Sequence, residues 1–289
     1  MNALAAAPAL TIHRSRKLIP EFNLHRPTSA AEAVEIKAAC GTGGVFMAGG
    51  IDVVNRMKFG VPVTDVIHLG AIPGLDTITE DADGLRLGAL ATHDQLATSP
   101  LVARHLPAFA QTWNDVANIR IRCKGTLGGN VMAGDPAYDF ALAAMAIDAR
   151  LEFLETGGTT RRITGAAEKD TFSSHALLVA VTVPRAPTRR LSFDRSLRPI
   201  VTLALGLDVA DGKIAGGRIA IGCAYAKPIA VRLPLDAPLP AQELARRAEP
   251  LAASIAAGLP TPVGDPIASA DYRRRMIEVL LRRNLAAIA

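Results

Sequence analysis

Two glycine-rich stretches, Met47–Asp52 (MAGGID) and Gly125–Asn130 (GTLGGN), decide how this sequence is interpreted. Paired glycines let the backbone adopt positive φ angles and approach a ligand without a Cβ in the way. The residues after the first stretch, Ile51 to Lys58, have helical spacing. Backbone N–H groups at the start of a helix bind phosphate oxygens. Two separate loops of similar build therefore favour a diphosphate group that is held from two sides.

Polar side chains accompany the second loop. Thr126 and Asn130 offer side-chain hydrogen bonds, and Asp139 is an acidic group that suits a ribose or ribityl hydroxyl. Neither loop fits the dinucleotide or the phosphate-loop fingerprint, because Lys124 precedes the glycines instead of following them. A lone Gly-Gly pair is more often a simple turn, and the pattern alone leaves that interpretation open. His93 follows a helix-capping residue and is interpreted as structural rather than catalytic.

Composition indicates a folded globular chain. Of 289 residues, 49% are hydrophobic and 20% are charged, while only 4% are aromatic, which predicts a core of Ala, Leu, Ile and Val. No apolar run is long enough for a membrane helix. The net charge of +5 is mild and the arginine clusters are scattered, which disfavours nucleic-acid binding. The first 16 residues lack the order of a secretory signal, so a cytoplasmic protein is expected.

The cysteines and histidines predict no metal on this chain. Cys40, Cys123 and Cys223 are far apart and form no CxxC pair. An iron–sulfur cluster or a structural zinc site usually needs four such ligands close together. The six histidines show no ligand spacing either. Any iron–sulfur cluster that works with this protein is therefore expected on another chain.

Capping signals and apolar periodicity predict the main elements. Capping boxes or N-cap residues at Ser29, Thr92 and Ser99 predict three helix starts, the last helix running to about Val116. Further predicted helices are 51–58 and 138–147, and the predicted strands are 45–47, 66–69, 85–89, 151–155 and 177–183. The turn Asp211-Gly212 predicts a hairpin that joins 200–209 to 214–223.

Two helices are expected to close the chain. The last, about 271–287, has an apolar stripe with arginines opposite, and the stripe consists of Ile277, Leu280, Leu281, Leu285 and Ile288. The order of elements is mixed α/β first and α+β afterwards. It predicts a flexible extension over 1–17, one domain over 18–187 and a second over 188–289.

Five stretches of the chain resemble one enzyme family. Residues 48–52 (AGGID) resemble the family loop AGGTDL, residues 121–130 (IRCKGTLGGN) resemble IRNRGTIGGN, and residues 135–139 (DPAYD) resemble SPAAD. Residues 22–33 (FNLHRPTSAAEA) resemble the family opening FEYHRPTSLEEA, and residues 272–285 resemble its last helix. The family comprises the FAD-binding (medium) subunits of molybdenum hydroxylases, such as carbon monoxide, xanthine and nicotine dehydrogenases and 4-hydroxybenzoyl-CoA reductase.

This resemblance spans about residues 18–287 and implies an α+β fold. Its parts would be a vanillyl-alcohol-oxidase-type (PCMH-type) FAD-binding domain with two α/β subdomains, and a small C-terminal domain with an antiparallel sheet and helices. The FAD is expected to be noncovalent, because no His or Cys stands where a flavin linkage can be argued. The residues implied to bind FAD are Ala48, Gly49, Gly50, Ile51, Asp52, Val53, Thr92, Thr126, Leu127, Gly128, Gly129, Asn130, Asp139, Leu178 and Arg195.

The chain departs from the family pattern at a few of these positions. Ile51 replaces the common Thr or Ser, and Cys123 replaces the usual Asn. Pro199 stands where Asp is frequent, and Arg195 replaces a family lysine near the flavin. These departures affect the surroundings of the isoalloxazine ring more than the diphosphate loops. We also expect a positive φ at Gly129, so that a side chain there would both strain the backbone and meet the phosphates.

The resemblance further implies an electron-transfer role in a complex. A large molybdenum–pterin subunit would hydroxylate an N-heterocycle, an aldehyde or a similar substrate. Electrons would pass through two [2Fe–2S] clusters of a small subunit to FAD and on to an external acceptor, within a dimer of heterotrimers. Two alternatives stay open: a self-contained FAD-dependent oxidase of the same superfamily, and an assembly subunit without flavin. The sequence names neither the substrate nor the acceptor.

Overall fold

The computed structural model describes residues 19–107, 110, 113–114, 117–134, 139–164, 174–184, 189–195 and 200–288. The strands are β1 Asn23–His25, β2 Gly44–Met47, β3 Asp65–His68, β4 Ile78–Glu80, β5 Gly84–Gly88, β6 Arg150–Leu154, β7 Thr160–Thr164, β8 Leu177–Pro184, β9 Arg189–Arg195, β10 Thr202–Ala210, β11 Lys213–Gly222 and β12 Ile229–Arg232. The helices are α1 Ala30–Cys40, α2 Ile51–Lys58, α3 His93–Thr98, α4 Pro100–His105, α5 Ile119–Arg122, α6 Leu127–Met132, α7 Asp139–Ala146, α8 Ala241–Arg246, α9 Ala248–Gly258 and α10 Ala270–Ala286. None of these helices is long and apolar enough to cross a membrane.

A small parallel sheet begins the fold. Its strand order is β1-β3-β2, and α1 and α2 provide the crossovers that parallel strands require. Helix α1 buries Ala33 and Val34 completely against this sheet. The same core cluster contains Leu177 and Val179 of β8, so the parallel sheet packs on the next layer of the protein.

A five-stranded antiparallel sheet forms the middle layer, with the order β4-β5-β8-β6-β7. Strand β8 lies at its centre and is buried along most of its length. The largest core cluster lies against this sheet and includes helix α7. In that cluster Trp113 stacks on Phe140 with ring centroids 5.4 Å apart. The sheet therefore separates two apolar cores.

A four-stranded antiparallel sheet, ordered β12-β11-β10-β9, follows in the chain. One face packs on α8, α9 and α10. The other face contributes Ala204 and Ala220 to the large core that contains α7. A Cβ at Gly206 of β10 would overlap the carbonyl oxygen of Ala146, so glycine is what allows α7 to lie directly on this sheet.

Most predicted elements are present near their predicted bounds. The side chains of Ser29, Thr92 and Ser99 each accept a hydrogen bond at the start of a helix, and Thr92 forms a complete capping box with Gln95. The Asp211-Gly212 turn joins β10 to β11 as expected. The five predicted apolar residues of the last helix and its end are all buried.

Three details of the prediction are wrong. The Glu32 carboxylate accepts a hydrogen bond from the Thr28 N–H at 2.8 Å, so the capping box predicted with Ser29 is only half formed. The helix predicted from Ser99 to about Val116 is interrupted: α4 ends at His105, because a proline disfavours helical φ and ψ in the preceding Leu106, and residues 107, 110 and 113–114 are helical again. Three helices follow β12 instead of two, since the chain breaks helical geometry at Arg247.

The arginines of α10 do not all lie opposite the apolar stripe. Arg273 is buried, and its guanidinium donates to the carbonyl oxygens of Ile200 at 2.7 Å and Cys223 at 2.6 Å. It also forms an ion pair with Asp265, whose pKa is lowered first by backbone hydrogen bonds and further by this arginine. Arg273 thus ties the last helix to the ends of β10 and β11.

The substitution Arg273→Met should destabilise the protein. It keeps the apolar stem but leaves two carbonyl oxygens without their charged donor, which we expect to cost about 2–4 kcal/mol of unfolding free energy. Denaturant titration measures the loss. Arg275→Met is the matched control: its side chain is mostly exposed and pairs only with Glu278 on the same helix, so a change below about 0.5 kcal/mol is expected. Equal effects of the two substitutions would contradict the role given to Arg273.

Candidate cofactor-binding site

A cleft of about 580 Å³ lies where the two glycine loops meet, which is within the usual range of ligand pockets. The sequence-predicted residues that line it are Ala48, Gly49, Gly50, Ile51, Asp52, Val53, Thr126, Gly129 and Asn130. The further lining residues are Lys37, Gly44, Val45, Phe46, Arg56, His93, Ala117, Ile121, Gly125, Met132, Ala133 and Ser174. The tertiary structure therefore brings both loops to one cavity.

The two loops touch through their backbones. A Cβ at Gly49 would overlap the carbonyl oxygen of Lys124, which directly precedes the second loop. Only glycine permits this approach, so the position requires glycine whether or not a ligand is bound. Next to it, Gly50 has a φ of 76° and serves as the N-cap of α2 in a left-handed conformation. This turn sends α2 away from the contact with its first turn on the cleft.

The start of α2 provides unused backbone donors. Its N-cap, Gly50, has no side chain to cap the helix. Within the described part of the chain, the N–H groups of Ile51, Asp52 and Val53 donate to no acceptor, whereas the Val54 N–H already bonds the Gly50 carbonyl. Free N–H groups and the positive end of the helix dipole favour an anion at this place. The arrangement suits a phosphate group.

Backbone N–H groups of the second loop donate hydrogen bonds to other protein atoms. The N–H groups of Leu127 and Gly128 bond the carbonyls of Ala91 and Ala89 at 2.9 and 2.7 Å, and the Gly129 N–H bonds the Thr126 hydroxyl at 3.1 Å. These three groups are not available to a ligand, contrary to the expectation from the sequence. Their bonds hold the loop to the chain segment that follows β5.

Gly129 also differs from its prediction. It lies within α6 and does not have a positive φ. Among the described residues, a Cβ there would meet the Thr126 hydroxyl oxygen at 3.1 Å and no other atom within 4 Å outside its own helix backbone. Because Gly129 lines the cleft, a larger side chain would take up space in the cleft without straining the backbone.

The remaining sequence-predicted residues have other places. Leu127 and Gly128 are buried beneath the cleft, and Thr92 caps α3 and bridges to Thr126 without lining the cavity. Leu178 is 4% exposed and belongs to the large core. Asp139 begins α7 and Arg195 ends β9, but their side chains lie outside the described residues.

Asn130 has a role that the sequence did not indicate. Its side-chain oxygen accepts a hydrogen bond from the Phe140 N–H at 3.2 Å, so it connects the second loop to the first turn of α7. The Asn130 side chain therefore helps to hold the walls of the cleft in place, in addition to lining it.

Charged and apolar walls give the cleft two characters. The cations are Lys37 and Arg56, and Arg56 pairs loosely with Asp52 at 3.8 Å. Burial lowers the pKa of Lys37, whose ammonium donates to the Gly41 carbonyl at 2.7 Å. The apolar lining consists of Val45, Phe46, Ile51, Val53, Ile121 and Met132. The lining therefore offers cations for an anionic group and apolar side chains for a ring system.

His93, which the sequence analysis interpreted as structural, lies in the wall of the cleft. It lines the cleft, is 4% exposed, and its Nδ1 has no hydrogen-bond partner among the described residues. Burial lowers its pKa to about 4, so the ring is neutral at pH 7. The backbone N–H of His93 donates to the Gly125 carbonyl at 3.0 Å. A Cβ at Gly125 would lie 3.0 Å from the His93 ring. An unpaired buried nitrogen at a cleft wall is a feature that a bound ligand can satisfy.

The chain matches a family model described as the FAD binding domain in molybdopterin dehydrogenase, over residues 20–186. Among curated proteins it is 29% identical to the nicotine 6-hydroxylase medium subunit of Paenarthrobacter nicotinovorans, with 92% of this chain and 97% of that protein covered. It is 28% identical to the carbon monoxide dehydrogenase medium chain of Afipia carboxidovorans, covering 92% of this chain and 96% of that one.

Solved structures agree with this likeness. A chain of the Cu,Mo-containing carbon monoxide dehydrogenase superposes with a TM-score of 0.80 at 25% identity, covering 94% of this chain and all of that chain. A chain of quinoline 2-oxidoreductase from Pseudomonas putida gives a TM-score of 0.81 at 23% identity, over 93% and 97% of the two chains, and shares the fold. The protein belongs to the family that carries the FAD-binding domain of molybdopterin dehydrogenases.

The residues present fit FAD. The uncapped start of α2 with Lys37 and Arg56 nearby suits the diphosphate, and the apolar walls suit a ring system. The space beside Gly129, which a side chain at this position would occupy, leaves room for a ligand. His93 offers a neutral ring nitrogen that has no hydrogen-bond partner in the described segments.

Stability should depend on pH through His93. Its folded pKa of about 4 lies below the unfolded value of 6.5, so the unfolded chain binds a proton first and stability is lost as the pH falls through this window. Between pH 7 and pH 5 we expect the wild type to lose about 2 kcal/mol more unfolding free energy than His93→Gln. Urea titrations at both pH values measure this. The carboxylates act alike in both proteins, and an identical pH dependence would contradict the prediction.

Proposed function

We propose that this chain is the FAD-binding, electron-transfer subunit of a molybdenum hydroxylase complex. The observation that carries the proposal is the free helix start of α2, held against the second glycine loop by the contact between Gly49 and Lys124. FAD in this cleft would supply the redox chemistry that links one-electron clusters to an external acceptor. The family assignment and the relatives named as medium subunits support the same role.

This chain's residues act by binding and positioning. The first-turn N–H groups of α2 would bind the diphosphate, with Lys37 and Arg56 offsetting its negative charge. The hydroxyl of Thr126 and the amide of Asn130 border the same space. The neutral His93 ring closes one wall and offers one hydrogen bond. The FAD-binding roles of Asp139, Leu178 and Arg195 are proposed from the sequence resemblance alone. Leu178 lies in the large core and does not line the described cleft, so it could contact FAD only if the core opened there.

The partners proposed are a large molybdenum–pterin subunit and a small subunit with two [2Fe–2S] clusters, in a dimer of heterotrimers. The three cysteines of this chain support that division, because they differ in burial and lie far apart in the sequence. The substrates of the relatives, nicotine and carbon monoxide among them, are properties of those enzymes. A location in the cytoplasm stays a prediction.

We also propose that the chain divides near residue 187. The family match over 20–186 and the start of the four-stranded sheet at Arg189 support this boundary. The large core that joins α7 to β10 and β11 would then be the contact between the two domains.

Gly129→Val tests the cleft as the flavin site. The added side chain would enter open space in the cleft, so the protein should fold but bind FAD at least about tenfold more weakly, a loss of roughly 1.4 kcal/mol. Flavin fluorescence on titration with FAD measures the affinity. Gly216→Val is the matched control, because its Cβ would meet nothing within 4 Å and it lies in β11, which is not part of the cleft. Full affinity in the Gly129 variant would contradict the assignment.

The electron-transfer role predicts what the isolated chain does with substrates. Loaded with FAD and mixed anaerobically with N-heterocycles, aldehydes or purines, it should keep its flavin absorbance, because the described cleft shows no acid–base pair for substrate oxidation. Adding the molybdenum and iron–sulfur subunits should allow bleaching by the proper substrate. Rapid bleaching without them would favour a self-contained oxidase, and failure to bind FAD would favour an assembly subunit.

A further inference from the structure

Three different side chains from β1, α1 and β3 form a cluster beside the parallel sheet. His25 ends β1, Cys40 ends α1 and Asp65 begins β3. The His25 Nε2 lies 2.8 Å from the Asp65 Oδ1 and 3.9 Å from the Cys40 Sγ, and all three atoms lie within 4.8 Å of one another. Each residue is partly exposed. The positions 25, 40 and 65 form no sequence motif, so only the fold brings them together.

The cluster does not have the geometry of a nucleophile relay. In a Cys-His-Asp relay the thiol and the carboxylate contact opposite nitrogens of the imidazole ring. Here both contact the same atom, the His25 Nε2. Three donor atoms within 4.8 Å of one another are instead close enough to be ligands of one ion.

Neighbouring groups fix the carboxylate and the thiol. Asp65 accepts hydrogen bonds from the Asn23 amide at 3.1 Å and the Thr64 hydroxyl at 2.7 Å. These bonds act as the outer contacts that orient metal-binding carboxylates. A Cβ at Gly44, the first residue of β2, would lie 2.6 Å from the Cys40 Cβ. Glycine at this position therefore lets β2 pack closely against Cys40. The donors are therefore held in place before any ion arrives.

We propose that His25 Nε2, Cys40 Sγ and an oxygen of Asp65 bind one zinc-like divalent cation. A thiolate, an imidazole and a carboxylate together are typical ligands of Zn²⁺, and three protein ligands leave a fourth position for water. Binding exchanges the direct hydrogen bond between His25 and Asp65 for two bonds to the ion. The proton that the His25 Nε2 donates to Asp65 moves to the Nδ1, so that Nε2 can bind the ion, and the Cys40 thiol proton is released to the solvent, since the thiolate is the ligand.

The charges of the ligands suit a divalent ion, because the Asp65 carboxylate and the Cys40 thiolate that forms on binding are both anionic. The ion would connect β1, α1 and β3, and so would stabilise the sheet whose helix α1 contributes Lys37 to the cleft.

The test uses the purified chain with Co²⁺ and Zn²⁺ as probes. One equivalent of Co²⁺ should produce a thiolate-to-cobalt charge-transfer band that Zn²⁺ abolishes. Cys40→Ser should lose the band and bind Zn²⁺ at least tenfold more weakly, as measured by competition with a chromophoric chelator. Cys123→Ser is the matched control, because Cys123 is exposed and lies outside the cluster, and it should keep both the band and the affinity.

Several outcomes would overturn the proposal. They are the absence of a cobalt band in the wild type, an unchanged affinity in Cys40→Ser, and a loss of the band in Cys123→Ser. If Cys40→Ser fails to fold, Asp65→Asn takes its place and should weaken Zn²⁺ binding while the cobalt–thiolate band shifts. FAD binding is measured in parallel. A failed flavin site with an intact metal site, or the reverse, distinguishes this proposal from the proposed function.

Discussion

The contact between the Gly49 backbone and the carbonyl of Lys124 is the constraint on which the cleft depends. It joins the parallel sheet, which carries α2, to the segment that leads into α6. Without it the start of α2 would face solvent instead of a second wall. The contact exists only because position 49 has no Cβ, so one absent carbon atom sets the distance between two layers of the protein.

Around this contact the two glycine loops have different tasks. The first loop leaves its helix start uncapped, and three of its N–H groups have no acceptor among the described residues, which makes it the place for a negative charge. In the second loop the N–H groups of Leu127, Gly128 and Gly129 bond Ala91, Ala89 and Thr126, so this loop forms a fixed wall. A helix start with free donors beside a loop held by its own bonds is preorganised for an anion.

The rest of the structure supports a chain that positions a cofactor and leaves substrate chemistry to others. Its described cleft contains one neutral histidine and a few charged side chains suited to binding. The C-terminal sheet is attached to the preceding layer by the packing of α7 on Gly206, and within the C-terminal part the buried Arg273 bonds the carbonyls of Ile200 and Cys223. Such firm attachment suits a protein that must hold a redox group at a fixed distance from a partner.

The sequence alone determined what depends on local chemistry. Capping residues such as Thr92, the apolar stripe of the last helix and the Asp211-Gly212 turn each act within a few residues of the chain. The glycine motifs revealed the family, because backbone approach demands glycine at fixed positions. The sequence-based prediction was wrong where a single residue interrupts an otherwise helical pattern, as the proline after Leu106 interrupts the helix that begins with α4.

Only the tertiary structure decided which groups are available and which meet. Whether the N–H of Gly128 faces a ligand or the Ala89 carbonyl depends on a residue 39 positions earlier in the chain, just after β5. Burial of His93 and Arg273, and the meeting of His25, Cys40 and Asp65, likewise arise from contacts between distant segments. Local patterns carry no information on such contacts, since the free energy of a hydrogen bond or a desolvated charge depends on neighbours that the fold alone supplies.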